Sequence, residues 1–370
     1  MKARICSVLI FLSFLFSGCV FAKPRMPSDA QSLLSPAVEF GISHPPLKGT
    51  VGSDGVDALE FSSSALARFN VKWISTTEFW TWRQPTRNTF AWKIFDEKVA
   101  FAKKHSLQIF LVIAGDAPSW ACSPAAPRDG EYCPLHDTES KNAFLAFVEE
   151  LLRRSNGSLG AVAFGNEWDR GSWIGFPAEE FIERSNAVFD AAKRIAPQVK
   201  VVAGSLSVGY LQWEAACAGL IPKVVDMETY SGSEVTEYCA QKFPARNKKV
   251  QQVLRHLKSD AIDLHLYDDP ENWTMYVERI SRTWQGRSLW ISEFGGPNQI
   301  AEPYSEAQHA LKIANYVRAI RTLPASLALH FKLLEDGENY PTHLHSAFFR
   351  SDLSPKEEVI RAFLDEVNRK

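Results

Sequence analysis

From residue 38 onward, short runs of apolar, β-branched and aromatic residues alternate with longer stretches whose apolar positions recur every three or four residues. The short runs predict eight strands, over 38–43, 71–76, 107–114, 159–165, 199–205, 261–266, 288–292 and 327–333. The stretches between them predict helices. Residues 139–154 place Phe144, Phe147, Val148 and Leu151 on one face, and 177–195 opens with Pro177 in its first turn. Eight strand-to-helix alternations, with no Pro/Gly/Ser-rich linker and no internal repeat, predict one α/β domain of the (β/α)8 barrel type over 37–370. A doubly wound open sheet competes, but no Gly-rich phosphate loop follows any run. Two connections, 115–137 and 207–246, exceed the usual few residues, and long connections after strands are where such barrels keep function.

The beginning of the chain has a different pattern. Lys2 and Arg4 precede an apolar run from Ile5 to Phe16 and then small residues, which predicts a secretory signal over 1–22. Two cleavage readings stand: Val20-Phe21-Ala22 suits release of a soluble protein, while Phe16-Ser17-Gly18-Cys19 resembles a bacterial lipobox that would put a lipid anchor on Cys19. That anchor would be the chain's only link to a membrane. An uncleaved span is disfavoured, because the apolar run falls short of the about 20 residues needed to cross a bilayer. Residues 23–36 read as an extended tether, and the destination as periplasm, cell envelope or exterior. Either cleavage leaves Cys122, Cys133, Cys217 and Cys239, an even count that predicts two disulfides in an exported chain. Of three connectivities, Cys122 with Cys133 and Cys217 with Cys239 is preferred, since each pair closes one long connection. A four-thiol zinc site would want a Cys-x-x-Cys pair, and there is none.

Composition narrows the partners. With 41 Lys plus Arg against 43 Asp plus Glu the formal charge is −2, and no basic excess points to nucleic acid. The 11 Trp, 9 Tyr and 24 Phe supply flat apolar faces that stack on sugar rings, although most such side chains serve a core.

In a barrel the reacting groups stand at the C-terminal ends of strands. The acids that follow a run closely are Glu78, Asp116, Glu167, Asp268, Glu293 and Glu335; Glu167 and Glu293 follow the fourth and seventh runs and so face each other across the mouth. Two opposed carboxylates suit glycoside hydrolysis. Around them, Gly165-Asn166-Glu167-Trp168 and Trp290-Ile291-Ser292-Glu293-Phe294-Gly295-Gly296 resemble the signatures of the retaining glycoside hydrolases of clan A. The resemblance implies a (β/α)8 fold, Glu167 as acid/base, Glu293 as nucleophile and Asn166 bound to the sugar 2-hydroxyl. It extends to His265-Leu266-Tyr267, where clan members place a His and a Tyr against sugar and nucleophile, and it covers the chain from about residue 38 to the end. Within the clan, the stretch from Asn166 to Gly204 is most similar to glycoside hydrolase family 39 and its exopolysaccharide-degrading relatives.

Two departures stand out: Leu329-His330-Phe331-Lys332 has no Trp where many members stack one beneath the sugar, and the second strand lacks a nearby Arg. His44 is a further candidate for the pocket, and Trp80, Trp82, Trp120, Trp168 and Trp173 are candidate sugar platforms, with core packing as the competing role. Trp168 and Trp173 would also give Glu167 the apolar cover that raises a general acid's pKa. The expectation is thus a monomeric hydrolase acting on a polysaccharide or oligosaccharide without cofactor or metal. Its rivals are a carbohydrate-binding protein on a degenerate barrel and a metal-dependent hydrolase using His265 with His343 and His345.

Overall fold

The computed structural model describes residues 37–369 except 116, 124–132, 156, 171–175, 227, 268, 285, 296–304 and 336–345. The predicted signal, Cys19 and the tether, as well as Asp116, Trp173, Asp268, His343 and His345, lie outside the described residues.

Eight parallel strands close into a barrel: β1 (Glu39–Ile42), β2 (Trp73–Phe79), β3 (Gln108–Ala114), β4 (Leu159–Phe164), β5 (Lys200–Ala203), β6 (Ala261–Leu266), β7 (Ser288–Gly295) and β8 (Ala325–Phe331). Each pairs with the next, and β1 pairs with β8. All eight predicted runs are strands of this barrel. Amphipathic helices cover its outside. Helix Thr138–Arg154 is capped by Asp137, whose carboxylate accepts from Ser140 N, and it buries Phe144, Phe147, Val148 and Leu151 as the spacing predicts. Helix Ala178–Ile195 starts one residue later than expected, with Pro177 as its N-cap.

The barrel interior is filled by Trp73, Phe110, Val112, Ala161, Ala163, Val202, Ala261, Trp290, Leu327 and Leu329. Trp73 and Trp290 meet edge to face, with ring centroids 5.5 Å apart. Their bulk fits because β4 carries Gly160 beside them: a Cβ there would lie 2.3 Å from the Trp73 ring. The lower barrel is thus packed with apolar side chains, and the polar groups described below gather toward the C-terminal ends of the strands.

The connection 207–246 departs from its reading as a loop. It folds into helix Val208–Cys217, an antiparallel pair Lys223–Asp226 with Glu228–Ser231, and helix Ser233–Gln241. Its small core stacks Trp213 on Tyr238 with centroids 3.9 Å apart, and the Cys217–Cys239 disulfide closes it. Cys122 and Cys133 form the other disulfide, so both local pairings are present. Among the described residues no helix is long and apolar enough to cross a membrane.

Candidate active site

Side chains alternate along a strand, so Ala261, inside the barrel on β6, predicts that Asp263, His265 and then Tyr267 face the same way. They rise in that order from the packed interior to the mouth. β7 needs a further device, because Trp290 points inward and alternation would turn Glu293 outward toward the helices. The β6–β7 register shifts by one residue, from Asp263 opposite Trp290 to His265 opposite Glu293. This bulge brings both Ser292 and Glu293 to the inner side. It also carries β7 past the expected end at residue 292, to Gly295.

Asp263 holds the bulge in place. Ser292 donates to it through its backbone N at 2.8 Å and its hydroxyl at 2.5 Å. His265 Nε2 lies 3.1 Å from the same Ser292 hydroxyl, while His265 Nδ1 lies 3.1 Å from Glu167 Oε1 and 3.2 Å from Glu293 Oε2. Both ring nitrogens thus face acceptors. Burial opposes charge on this imidazole, yet Glu293 and Glu167 beside it push the pKa up to about 9. Burial likewise pushes Asp263 up to about 7, against the pull of His265 and the Ser292 hydrogen bonds. Tyr267 donates its hydroxyl to Glu293 Oε2 at 2.5 Å.

Glu167 arrives differently. It sits three residues past β4 with a left-handed backbone, φ 44°, which costs a non-glycine residue about 1–3 kcal/mol and persists only where its surroundings impose it. Several contacts impose it. Glu167 N donates to Ser205 Oγ at 2.8 Å, and the Trp168 indole donates to Gly204 O at 2.7 Å while packing on Phe181. The Asp169 carboxylate accepts from Ser207 N and Oγ at 2.7 Å and from Arg246 at 2.6 Å. Asn166 is held beside Glu167 by the Ser205 hydroxyl at 3.4 Å.

Of the other acids, Glu78 is fully buried and turned away from the mouth, ion-paired at 2.6 Å with both Arg83 and Lys98, and Glu335 pairs with Lys356. Among the described residues, only Glu167 and Glu293 of the acidic sequence candidates meet at the mouth. His44 joins them. Its Nδ1 lies 3.8 Å from Glu293 Oε1, and its Nε2 lies 2.8 Å from Thr77 Oγ1.

The tryptophan candidates need correction. Trp168 is wholly buried and anchors the loop from beneath, so it is neither a sugar platform nor apolar cover for Glu167; His265 and Arg170 face that carboxylate instead. Trp80 is equally buried, stacked on Phe147 and edge to face with Trp120 and Phe144. Trp120 is half-buried and bonds Gln84 O, whereas Trp82 is 43% exposed with the Lys48 ammonium 4.5 Å from its ring centre.

Residues that sequence reasoning missed are Asp263, Ser292, Ser205, Arg170 and Phe331. Phe331 stands at the end of β8, where the expected Trp is lacking, with its ring 5.8 Å from His44 and 6.2 Å from Tyr267. The signal for Asp263 was present: it alternates with His265 on an otherwise apolar strand, a spacing that puts two polar groups on the inner face.

Fold and site together define a (β/α)8 barrel with a carboxylate pair across its mouth. No protein-family profile and no curated protein sequence matches the chain. Solved structures do. A family 39 glycoside hydrolase from the gut symbiont Bacteroides cellulosilyticus WH2 superposes with a TM-score of 0.59 at 14% identity, over 90% of this chain and 64% of its own. This chain thus spans less than two thirds of that protein. GH5_18 from Streptomyces cattleya, solved in complex with GlcNAc, gives 0.62 at 13% identity over 90% of this chain and 80% of its own. The β-glucosidase 1317 gives 0.63 at 12% identity, over 89% of this chain and 98% of its own. These likenesses are likenesses of fold.

Proposed function

We propose that this chain is an exported, retaining glycoside hydrolase that cleaves a polysaccharide or oligosaccharide by double displacement. The observation that carries the reading is the sharing of His265 Nδ1 by Glu167 Oε1 and Glu293 Oε2, which puts those oxygens at most the sum of the two contacts apart, about 6.3 Å. Retaining enzymes hold their carboxyl groups about 5–5.5 Å apart, and inverting ones about 6.5–9.5 Å, to admit a water. The GlcNAc complex of GH5_18, a barrel of like fold, supports a saccharide as the ligand.

In this reading Glu293 is the nucleophile. The Tyr267 hydroxyl donates to its Oε2, His265 Nδ1 lies against the same oxygen, and together they fix its direction. Attack on the anomeric carbon forms the bond to a Glu293 oxygen while the bond to the leaving oxygen breaks, and Glu167 gives that oxygen its proton. Glu167, now ionised, then takes a proton from water as the water attacks the same carbon and releases Glu293. Esterified Glu293 carries no charge, so the field opposing ionisation of Glu167 weakens when it must act as base. Asn166 and His44 line the sugar site, and no resident metal or cofactor is called for.

Residues 1–22 serve as the export signal, with the end point soluble or anchored at Cys19, 23–36 as the tether and 37–370 as the catalytic domain, acting as a monomer. The two disulfides support an oxidising compartment. The test is a panel of polysaccharides offered to purified protein, with proton NMR of the first-formed product. The retained anomer is expected. An inverted anomer appearing first would refute double displacement, and binding without turnover across the panel would favour a degenerate carbohydrate-binding barrel.

A further inference from the structure

The loop that delivers Glu167 also brings a cation to it. Arg170 Nη1 lies 3.6 Å from Glu167 Oε2 and 3.2 Å from Asp226 Oδ1, so one guanidinium spans two carboxylates from different parts of the chain. Asp226 ends the first strand of the small hairpin within the segment closed by Cys217–Cys239. Its approach depends on Gly209, in the first turn of helix Val208–Cys217: a Cβ there would lie 2.3 Å from Asp226 Oδ2. The Gly209 backbone is ordinary helix, so the missing side chain makes room for the carboxylate and serves no conformational need.

His265 already lies against Glu167 Oε1, and a second cation beside that carboxylate favours the ionised form further, the opposite of what a proton donor needs. We propose that Asp226 is a positioning residue that draws Arg170 off Glu167 and so keeps Glu167 able to carry its proton. The inference rests on the glycosidase reading for its purpose but not for its measurement.

Both effects of Asp226 act in one direction. It occupies the guanidinium, and its own negative charge opposes ionisation of Glu167. Among the described residues, the charged groups facing Asp226 include Arg170, Arg246, Glu167 and Asp169, and those facing Glu167 include Arg170, His265 and Asp226, with Glu293 across the mouth. Arg246 is committed to Asp169 and, at 3.3 Å, to the Tyr238 hydroxyl, which leaves Arg170 as the cation shared with Glu167. Burial holds Asp226 above the usual carboxylate range, with Arg170 and Arg246 pulling the other way. On the Arg170 side, burial opposes the charge, but Glu167, Asp226 and Asp169 outweigh it.

The test reads Glu167 directly, by carbon-detected NMR titration of 13C-labelled protein, with the Glu167 signal assigned by its loss in Glu167→Gln. Asp226→Asn should lower the Glu167 midpoint by about one pH unit. Gly209→Ala should move it the same way by less, since it displaces the carboxylate without removing any charge. Arg170→Gln should raise it, and in the Arg170→Gln background Asp226→Asn should lose most of its effect. With a turned-over glycoside in hand, the alkaline limb of kcat/KM should follow the same order. An unchanged midpoint in folded Gly209→Ala and Asp226→Asn, or an equal shift with and without Arg170, overturns the proposal. Wild type inert on every glycoside would defeat the hydrolase reading, yet the titration would still decide this one.

Discussion

The two carboxylates at the mouth are delivered by opposite means. Glu293 is built into a strand: a one-residue bulge in β7 turns it inward, and Asp263, Ser292, His265 and Tyr267 brace it from within the barrel. Glu167 stands on a loop after β4, in a left-handed conformation held from outside the barrel by Ser205, the buried Trp168 and the Asp169–Arg246 pair. The Glu293 oxygens are nearly enclosed, with the side chain 8% exposed, while Glu167 is 24% exposed. A nucleophile must keep one position and one charge state. In the proposed mechanism an acid/base must exchange protons with leaving group and water, and the more open loop position of Glu167 would leave it free to do so.

The sharpest break in that comparison is Glu293→Gln, expected to lower kcat by about 10³-fold or more on every glycoside, because no covalent bond can form. Activity near wild type would remove Glu293 from the mechanism. Glu167→Ala is next, expected to cost about 10²–10⁴-fold on natural glycosides, but less on aryl glycosides whose leaving groups need no proton. Azide should restore part of the rate, and equal losses on both substrate types would deny the acid role.

Tyr267→Phe tests the bracing on the strand side alone. Loss of a charge-assisted hydrogen bond to Glu293 should cost about 10–100-fold in kcat with the fold intact, checked by circular dichroism. On the loop side, reducing Cys217–Cys239 should loosen the segment that carries Asp226 before the barrel itself. The expected cost is about 2–4 kcal/mol of stability, read by hydrogen exchange before and after reduction. Simultaneous loss of protection in barrel and segment would show that the segment is not a separate cooperative unit.

The last effect is on pH dependence. The folded His265 pKa, about 9, exceeds the unfolded value of about 6.5, so the folded protein binds the extra proton. Its stabilisation is full below about 6.5 and declines as pH rises through about 9. Urea unfolding across that window should show the decline, and His265→Asn should flatten it.

Much of this arrangement was legible in the sequence. The eight strands announce themselves as apolar runs because a parallel barrel buries both faces of every strand, and Asn166-Glu167 falls just past a run because the chain turns there. The local disulfides follow from cysteine placement in the two long connections. Sequence placed Trp80 and Trp168 near the mouth but not which way their rings turn, and packing against Phe147 and Phe181 sends both into the core. Alternation alone would have turned Glu293 outward. Its inward turn depends on a register slip between neighbouring strands, and register is a property of two segments at once. The partnership of Arg170 with Asp226, 56 positions apart, is of the same kind: their proximity comes from the pairing of β4 with β5 and from the room left by Gly209, and no local pattern encodes it.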